Sequence, residues 1–497
     1  MEQTAPQSAF KLNYKRTFLI GFAFFGILLL WQVYDLWCPT FLSEMFAKAF
    51  YPSEYEMYHG VNTLEAISKY GDLIKKVQYP VGIMMAIDNI AALILMPIFG
   101  HLSDKTNTKI GKRMPYILVG TFVCAVAFPF IPVLFHLNQI VGVIILMAVV
   151  VLFAMMYRNP AVALMPDITP KPLRSKANGI INIMGYIGGA FATVVGLIFV
   201  LSQYLGTAVD KKTHLYAAHT WAYNNIWAVE GPFLVASVLM LISAVVLFIL
   251  VKENKIREEM KDELARGEAL SETADKIDDD KPLSKANKIM LFLILGAEFF
   301  WFMADNGIST FLNNYVIYGT HSESTSTMIL TILGGVGSVA GFAVGGLIAS
   351  KIGRKWTLFG GLGLTLFCYA LWAILTFAIG LPQGSIPAWL YIIWLVKGFG
   401  MSLVHVNSFP MVVELCNSKK IGAFTGYYYA ASMTAQTITP IALGALLFAP
   451  AFDWRFLPVY AGVCIAASLA IFFFVKNVKN TKTTFTSGLE AIGDAED

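Results

Sequence analysis

Residues 31–42 read WQVYDLWCPTFL and residues 301–312 read WFMADNGISTFL. Trp31, Asp35, Thr40, Phe41 and Leu42 return as Trp301, Asp305, Thr310, Phe311 and Leu312, at an offset of 301 − 31 = 270. The first copy closes an apolar run, FLIGFAFFGILLL, so a carboxylate sits where the surrounding sequence is most lipophilic. A repeat and a buried acid are the two facts that the fold has to satisfy.

Of the 497 residues, 57% are hydrophobic and 14% charged, with a mean hydropathy of +0.64, against about 25% charged residues in an ordinary soluble chain. Stretches such as 17–34, 137–156, 232–251, 357–380 and 457–475 each reach the ~18–20 apolar residues that cross a bilayer as a helix. About twelve spans are expected: 17–42, 80–103, 114–135, 138–163, 177–203, 227–251, 288–314, 326–350, 355–380, 388–414, 422–449 and 457–476. An even number puts both termini on one side.

The clusters Lys15/Arg16, Lys105/Lys109/Lys112/Arg113, Lys171/Arg174/Lys176, Lys351/Arg354/Lys355, Lys419/Lys420 and Lys476/Lys479/Lys482 fall on that side, which the positive-inside rule makes cytoplasmic. Lys75/Lys76 and Lys211/Lys212, in the longer outer loops, weaken the bias without reversing it. The opening MEQTAPQSAFKLNYKR lacks the short apolar core of a signal peptide, so the first span is expected to insert the chain as a multi-pass protein of the plasma (inner) membrane. Five scattered cysteines have no metal or disulfide spacing, and the net charge of +4 is not gathered on one face, so neither a zinc site nor nucleic acid is implied.

Residues 252–287 are dense in both signs of charge and form a linker, helical at its start, between two six-span halves. The division is an N-terminal half 1–251, the linker 252–287, a C-terminal half 288–476 and a polar tail 477–497. GHLSDKTNTKIGKR at 100–113 resembles GLIASKIGRK at 346–355, offset 346 − 100 = 246, and Asp167 matches Glu414 at 247. The difference from 270 is the length of the first outer loop. Two halves repeated in one orientation are a transporter architecture.

The segment 100–113 resembles the span two to three signature of the major facilitator superfamily, with Gly100, Asp104, Gly111, Lys112 and Arg113 matching. Its insert TNTK is similar to that of the glycoside-pentoside-hexuronide cation symporters and of the sucrose transporter and solute carrier family 45 branch. DNIAALILMPIFGHLSDKT and YRNPAVALMPDITPKPLRSKANGIINIMGYIGG are similar to bacterial members of that second branch. The resemblance implies an all-α membrane fold of twelve transmembrane helices in two repeats. Melibiose-type symporters hold sodium with two aspartates one turn apart in span two, where this chain has Ala92 and Met96. Protons are therefore expected rather than sodium. The resemblance further implies an inner gate built from Asp104, Lys112, Arg113, Arg158, Asp167 and Arg174, with Asn159 and Lys176 beside it.

An ionisable side chain inside the bilayer costs at least ~2.5–3.5 kcal/mol on insertion scales and so is a functional candidate. Asp35 and Asp88, on spans running in opposite directions, are expected at similar depth, where burial beside a like charge favours the protonated form. They are the candidate proton-coupling pair. Glu298 and Asp305, seven residues apart on span seven, share a face, and either would pair with Lys397, which lies too deep in span ten to snorkel. His405 falls opposite Arg158 at the offset of 247 and could titrate near neutrality.

Sugars need mixed donors and acceptors with aromatic planes. Trp31, Tyr34, Asn182, Trp301, Asn306, Asn313 and Gln436, with Glu298, Asp305 and Lys397, are the candidate substrate-binding residues. The glycine strings 185–196 and 334–346 lack the lysine of a phosphate loop and suit close helix packing. No enzyme, cofactor or metal is indicated. The expectation is a monomeric secondary transporter, driven by a proton gradient, that moves a disaccharide or small glycoside by alternating access. The alternatives are another small organic solute, or sodium coupling.

Overall fold

The computed structural model of the chain describes residues 11–210, 212–216, 227–275, 285–413, 415 and 421–476. Glu414, Lys211, Lys419, Lys420 and the tail 477–497 lie outside them. Twelve described helices are long and apolar enough to cross a membrane, as expected where lipid offers the backbone no hydrogen-bond partner. In chain order they are α1 (Tyr14–Phe50), α4 (Gln78–Lys105), α5 with α6 (Met114–Ala127 and Phe130–His136), α7 (Ile140–Asp167), α8 (Arg174–Ile198) and α10 (Trp227–Leu250), followed by α13 (Lys285–Asn314), α14 (Thr325–Ile352), α15 (Arg354–Ile379), α16 (Ala388–Val413), α17 (Ile421–Phe448) and α18 (Phe456–Phe473). Short helices fill the connections: α2 (Pro52–Tyr58), α3 (Leu64–Lys76), α9 (Leu201–Leu205), α11 (Glu253–Glu259) and α12 (Lys261–Asp275).

The first span outruns its expected 17–42, because α1 continues to Phe50 above the apolar run. The long first outer loop is folded as α2 and α3, and Thr63 caps α3 by accepting from the Ala66 amide. Span seven ends in a π turn, Tyr315–Gly319, a widened geometry that is rare and often marks a functional position.

Prolines inside the spans free selected carbonyls, since proline has no N–H to give to the residue four before it. Pro39 does this to Asp35, and Pro440 to Gln436. The Gln436 oxygen is taken by Asn89 Nδ2 at 3.1 Å, which ties α4 to α17. Glycines set these close crossings: a Cβ at Gly82 would lie 2.0 Å from the Pro440 oxygen, and one at Gly337 2.0 Å from that of Leu395. The glycine string 334–346 thus seats α14 on α16, as small residues do in membranes.

Candidate functional site

Three helices of the first half bring charged side chains within one another's field. Asp35 is exposed although Tyr34 and Leu36 beside it are buried. It lies within electrostatic reach of Arg158 on α7 and of Asp88 on α4. The Tyr34 hydroxyl neighbours Asp88, yet Tyr34 Oη and Asp88 Oδ2 are both buried without a closed hydrogen bond. Trp31 packs edge-on against Tyr34 at 5.6 Å, and its Nε1, like Asn182 Nδ2, is also unpartnered. Asp35 and Asp88 are therefore brought together as expected from their sequence positions. Arg158 lies within the field of Asp35, nine residues of helix or roughly 13 Å from Asp167 on α7.

In the second half, Lys397 Nζ donates to Asp305 Oδ1 at 2.6 Å. The lysine side chain is 13% exposed and the carboxylate 39%, so the base is the deeper member of the pair. His405 sits within the field of both and packs on Phe302 at 5.6 Å. By the offsets of 270 and 247, Asp305 and His405 are the counterparts of Asp35 and Arg158. Each half thus sets an acid from its first span against a base from its fourth.

Asn306 keeps an unpartnered Oδ1 near this pair, and Gln436 is half-buried. Glu298 and Trp301, expected to face substrate, are both fully buried in this conformation. Glu298 shares the helical face of Asp305, but two turns nearer the termini that face is covered, with Tyr428 of α17 alongside.

The sequence alone gave no hint of the seam that closes the side away from the termini. Glu44 on α1 accepts from Tyr55 at 3.1 Å and Tyr70 at 2.5 Å through Oε2, and from Tyr318 at 2.6 Å through Oε1. Tyr318 belongs to the second half and to the π turn, so one carboxylate joins both halves and the outer hairpin. Below it, Thr40 donates to Asn314 at 2.9 Å, while Asn314 donates to Ser43 at 2.9 Å and to Gln78 at 3.0 Å. Asn313, expected to face substrate, instead donates to the Leu36 oxygen at 2.8 Å inside this seam. Lys75 reaches across to the Phe452 oxygen at 2.8 Å.

Hydrogen bonds to a charged group are worth about 1.5–3 kcal/mol. Tyr318→Phe is therefore expected to loosen the closed side by roughly ten- to hundredfold in population. Labelling of a cysteine placed at Ser43 with a membrane-impermeant maleimide should accelerate accordingly; an unchanged rate would mean that Tyr318 does not hold the seam.

On the terminal side, Arg113 donates through Nε to Asp167 Oδ2 at 2.8 Å and through Nη2 to Asp104, and Lys112 pairs with Asp167 at 3.0 Å. Burial opposes the Arg113 charge, but the two carboxylates outweigh it and hold its affinity for protons above the ordinary value. Arg174 instead donates to the main-chain oxygens of Pro166 and Thr169, bracing the end of α7. The linker contributes a member that sequence reasoning missed. Glu253, fully buried, accepts from the amides of Lys112, Arg113 and Met114 at 2.8–3.2 Å, where a carboxylate suits the start of α5.

Gly111 makes room for it, at φ +126°, a conformation that L side chains rarely adopt. A Cβ there would fall 2.0 Å from Glu253 Oε2. Gly111→Ala is expected to destabilise the terminal-side cluster by about 2 kcal/mol or more, from backbone strain plus displacement of the carboxylate. Thermal unfolding in detergent should show a clear drop, and no drop would refute the packing described.

The sequence profile of the Major Facilitator Superfamily matches residues 40–381 and 294–491. No curated protein matches the chain. Among solved structures, the xylose transporter XylE from E. coli, in an inward-open conformation, superposes with a TM-score of 0.61 at 14% identity, covering 94% of this chain and 97% of its own. A bacterial homologue of the iron transporter ferroportin, in an inward-facing state, gives 0.60 at 13%, covering 93% and 99%. The nucleoside transporter NupG gives 0.57 at 13%, covering 93% and 100%.

Proposed function

The chain belongs to the Major Facilitator Superfamily, and on that premise we propose that it is a secondary transporter that carries a sugar, a disaccharide or small glycoside, in symport with a proton. The observation that carries the substrate reading is a set of buried polar atoms without partners on spans of both halves: Trp31 Nε1, Tyr34 Oη, Asp88 Oδ2, Asn182 Nδ2 and Asn306 Oδ1. A buried polar atom without a partner costs about 1–3 kcal/mol, and hydroxyls, which both donate and accept, would relieve donors and acceptors alike. Indole and phenol faces from Trp31 and Tyr34 suit the C–H faces of a sugar ring.

Coupling runs through Asp35. Ionised, it is attracted to Arg158; protonated, it releases that base and removes a charge from the space that must close. Asp88 beside Tyr34 holds the second carboxyl of the pair. Asp305, Lys397 and His405 form the opposing wall. The sugar lies between the halves, which rock about it so that the Glu44 seam and the Arg113 cluster close in turn. With the Arg113 side cytoplasmic, the closed seam faces outward in a cell membrane and the protein works as a monomer.

Uptake of labelled sucrose and maltose into proteoliposomes under a proton gradient, a sodium gradient or neither tests the reading. Accumulation with protons alone supports it. Accumulation with sodium alone transfers coupling to that ion, and none with either removes sugar as the cargo.

A further inference from the structure

We propose that Glu298 is a second proton-binding site, enclosed in the second half and loaded in this conformation. Glu298 lies midway along α13, has no exposed surface, and neither of its carboxyl oxygens has a hydrogen-bond partner. Among the described residues burial alone acts on it, with no base in its field; α17 presents Tyr428, and α18 approaches through Ser468, which donates to the Ala297 oxygen at 2.9 Å. Lys397 of α16 is committed to Asp305, two turns away along α13.

An ionised carboxylate buried without a partner costs several kcal/mol or more, and a structure that holds one there holds it as the acid. A carboxyl kept neutral only to fill space would be replaced at less cost by a glutamine or an apolar side chain. A group that must take up and lose a proton would not.

The surroundings offer routes for that proton in two directions. Towards the space between the halves stands Asp305, on the same face of α13 and partly exposed. Towards the termini stands Tyr428, whose hydroxyl is joined to Ser408 Oγ at 2.9 Å, with either oxygen able to donate. The donor in this hydroxyl pair can reverse, and a turn of the Glu298 carboxyl onto Tyr428, to which it is not bonded in this conformation, completes the path. One proton enters on Glu298 and one leaves to water at the terminal side; no other bond is made or broken. That this exchange occurs once per transport cycle rests on the proton-coupled reading above, whereas the loaded site itself does not.

Infrared spectroscopy of the purified full-length protein reads the site without any substrate. At neutral pH the wild type should show the carbonyl band of a protonated carboxylic acid, and Glu298→Gln should lose one component that Asp35→Asn retains. Tyr428→Phe should keep the band and slow its hydrogen–deuterium exchange, a readout that stands if the glutamine variant folds poorly. A band unchanged by Glu298→Gln, or exchange unaffected by Tyr428→Phe, overturns the site or its exit. In proteoliposomes with sucrose, Glu298→Gln should lower the proton-to-sugar ratio while preserving sugar exchange. An unchanged ratio with the infrared loss intact would reduce Glu298 to a static acid.

Discussion

Asp35→Asn is expected to abolish accumulation of sugar against its gradient while exchange of sugar across the membrane continues. A proton gradient of about two pH units stores roughly 2.7 kcal/mol, enough for about hundredfold accumulation. The amide cannot take up and release that proton, so accumulation should fall to the level of protein-free vesicles. Exchange needs only the space to open and close with sugar inside. An asparagine there is neutral like the protonated acid, in every state. Accumulation in Asp35→Asn equal to wild type would remove Asp35 from coupling. Loss in Asp88→Asn alone would move the role to α4, where Asp88 stands beside Tyr34.

The second large effect is expected at the pair across the space. Removing one partner of a buried ion pair costs about 3–5 kcal/mol, mostly from the charge left behind. The two members differ in exposure, 13% for Lys397 and 39% for Asp305. Asp305→Asn strands the deeper charge and should approach that range. Lys397→Ala strands the wetter one, and solvent reduces the loss to about 2–3 kcal/mol. The double variant should be more stable than Asp305→Asn alone. Melting temperatures in detergent read all three. Equal losses for the two single variants would contradict the asymmetry, and wild-type transport by the double variant would leave the pair a clamp between α13 and α16.

How far the sequence carried these conclusions depended on what each feature needs. Twelve spans and the repeat of Asp35 as Asp305 were legible because a bilayer imposes length and because duplicated helices keep their spacing. The Asp305–Lys397 contact was legible because a lysine ten residues into an apolar helix has few alternatives. Nearness in sequence grouped Arg158 with Asp167, whereas nine residues of helix set the two at different depths along α7. The Glu44 seam had no signal at all, since Tyr55, Tyr70 and Tyr318 come from separate segments, the last 274 residues away. Glu253 was hidden among a run of charges, where only the fold singles out the one carboxylate that enters the protein.

The anchoring of Glu253 has a mechanical side. A string of 36 residues between the halves would leave them almost untethered. Here Glu253 is fixed to the start of α5 and opens a helix of 7 residues, followed past Met260 by one of 15. Those twenty-two span about 33 Å, where an extended chain would reach about 75 Å. This part of the connection lies along the first half, with Glu253 on the start of α5 and α12 beside Lys171–Leu173. Residues held there as helix add little to the reach by which the halves could be pulled apart in the membrane plane.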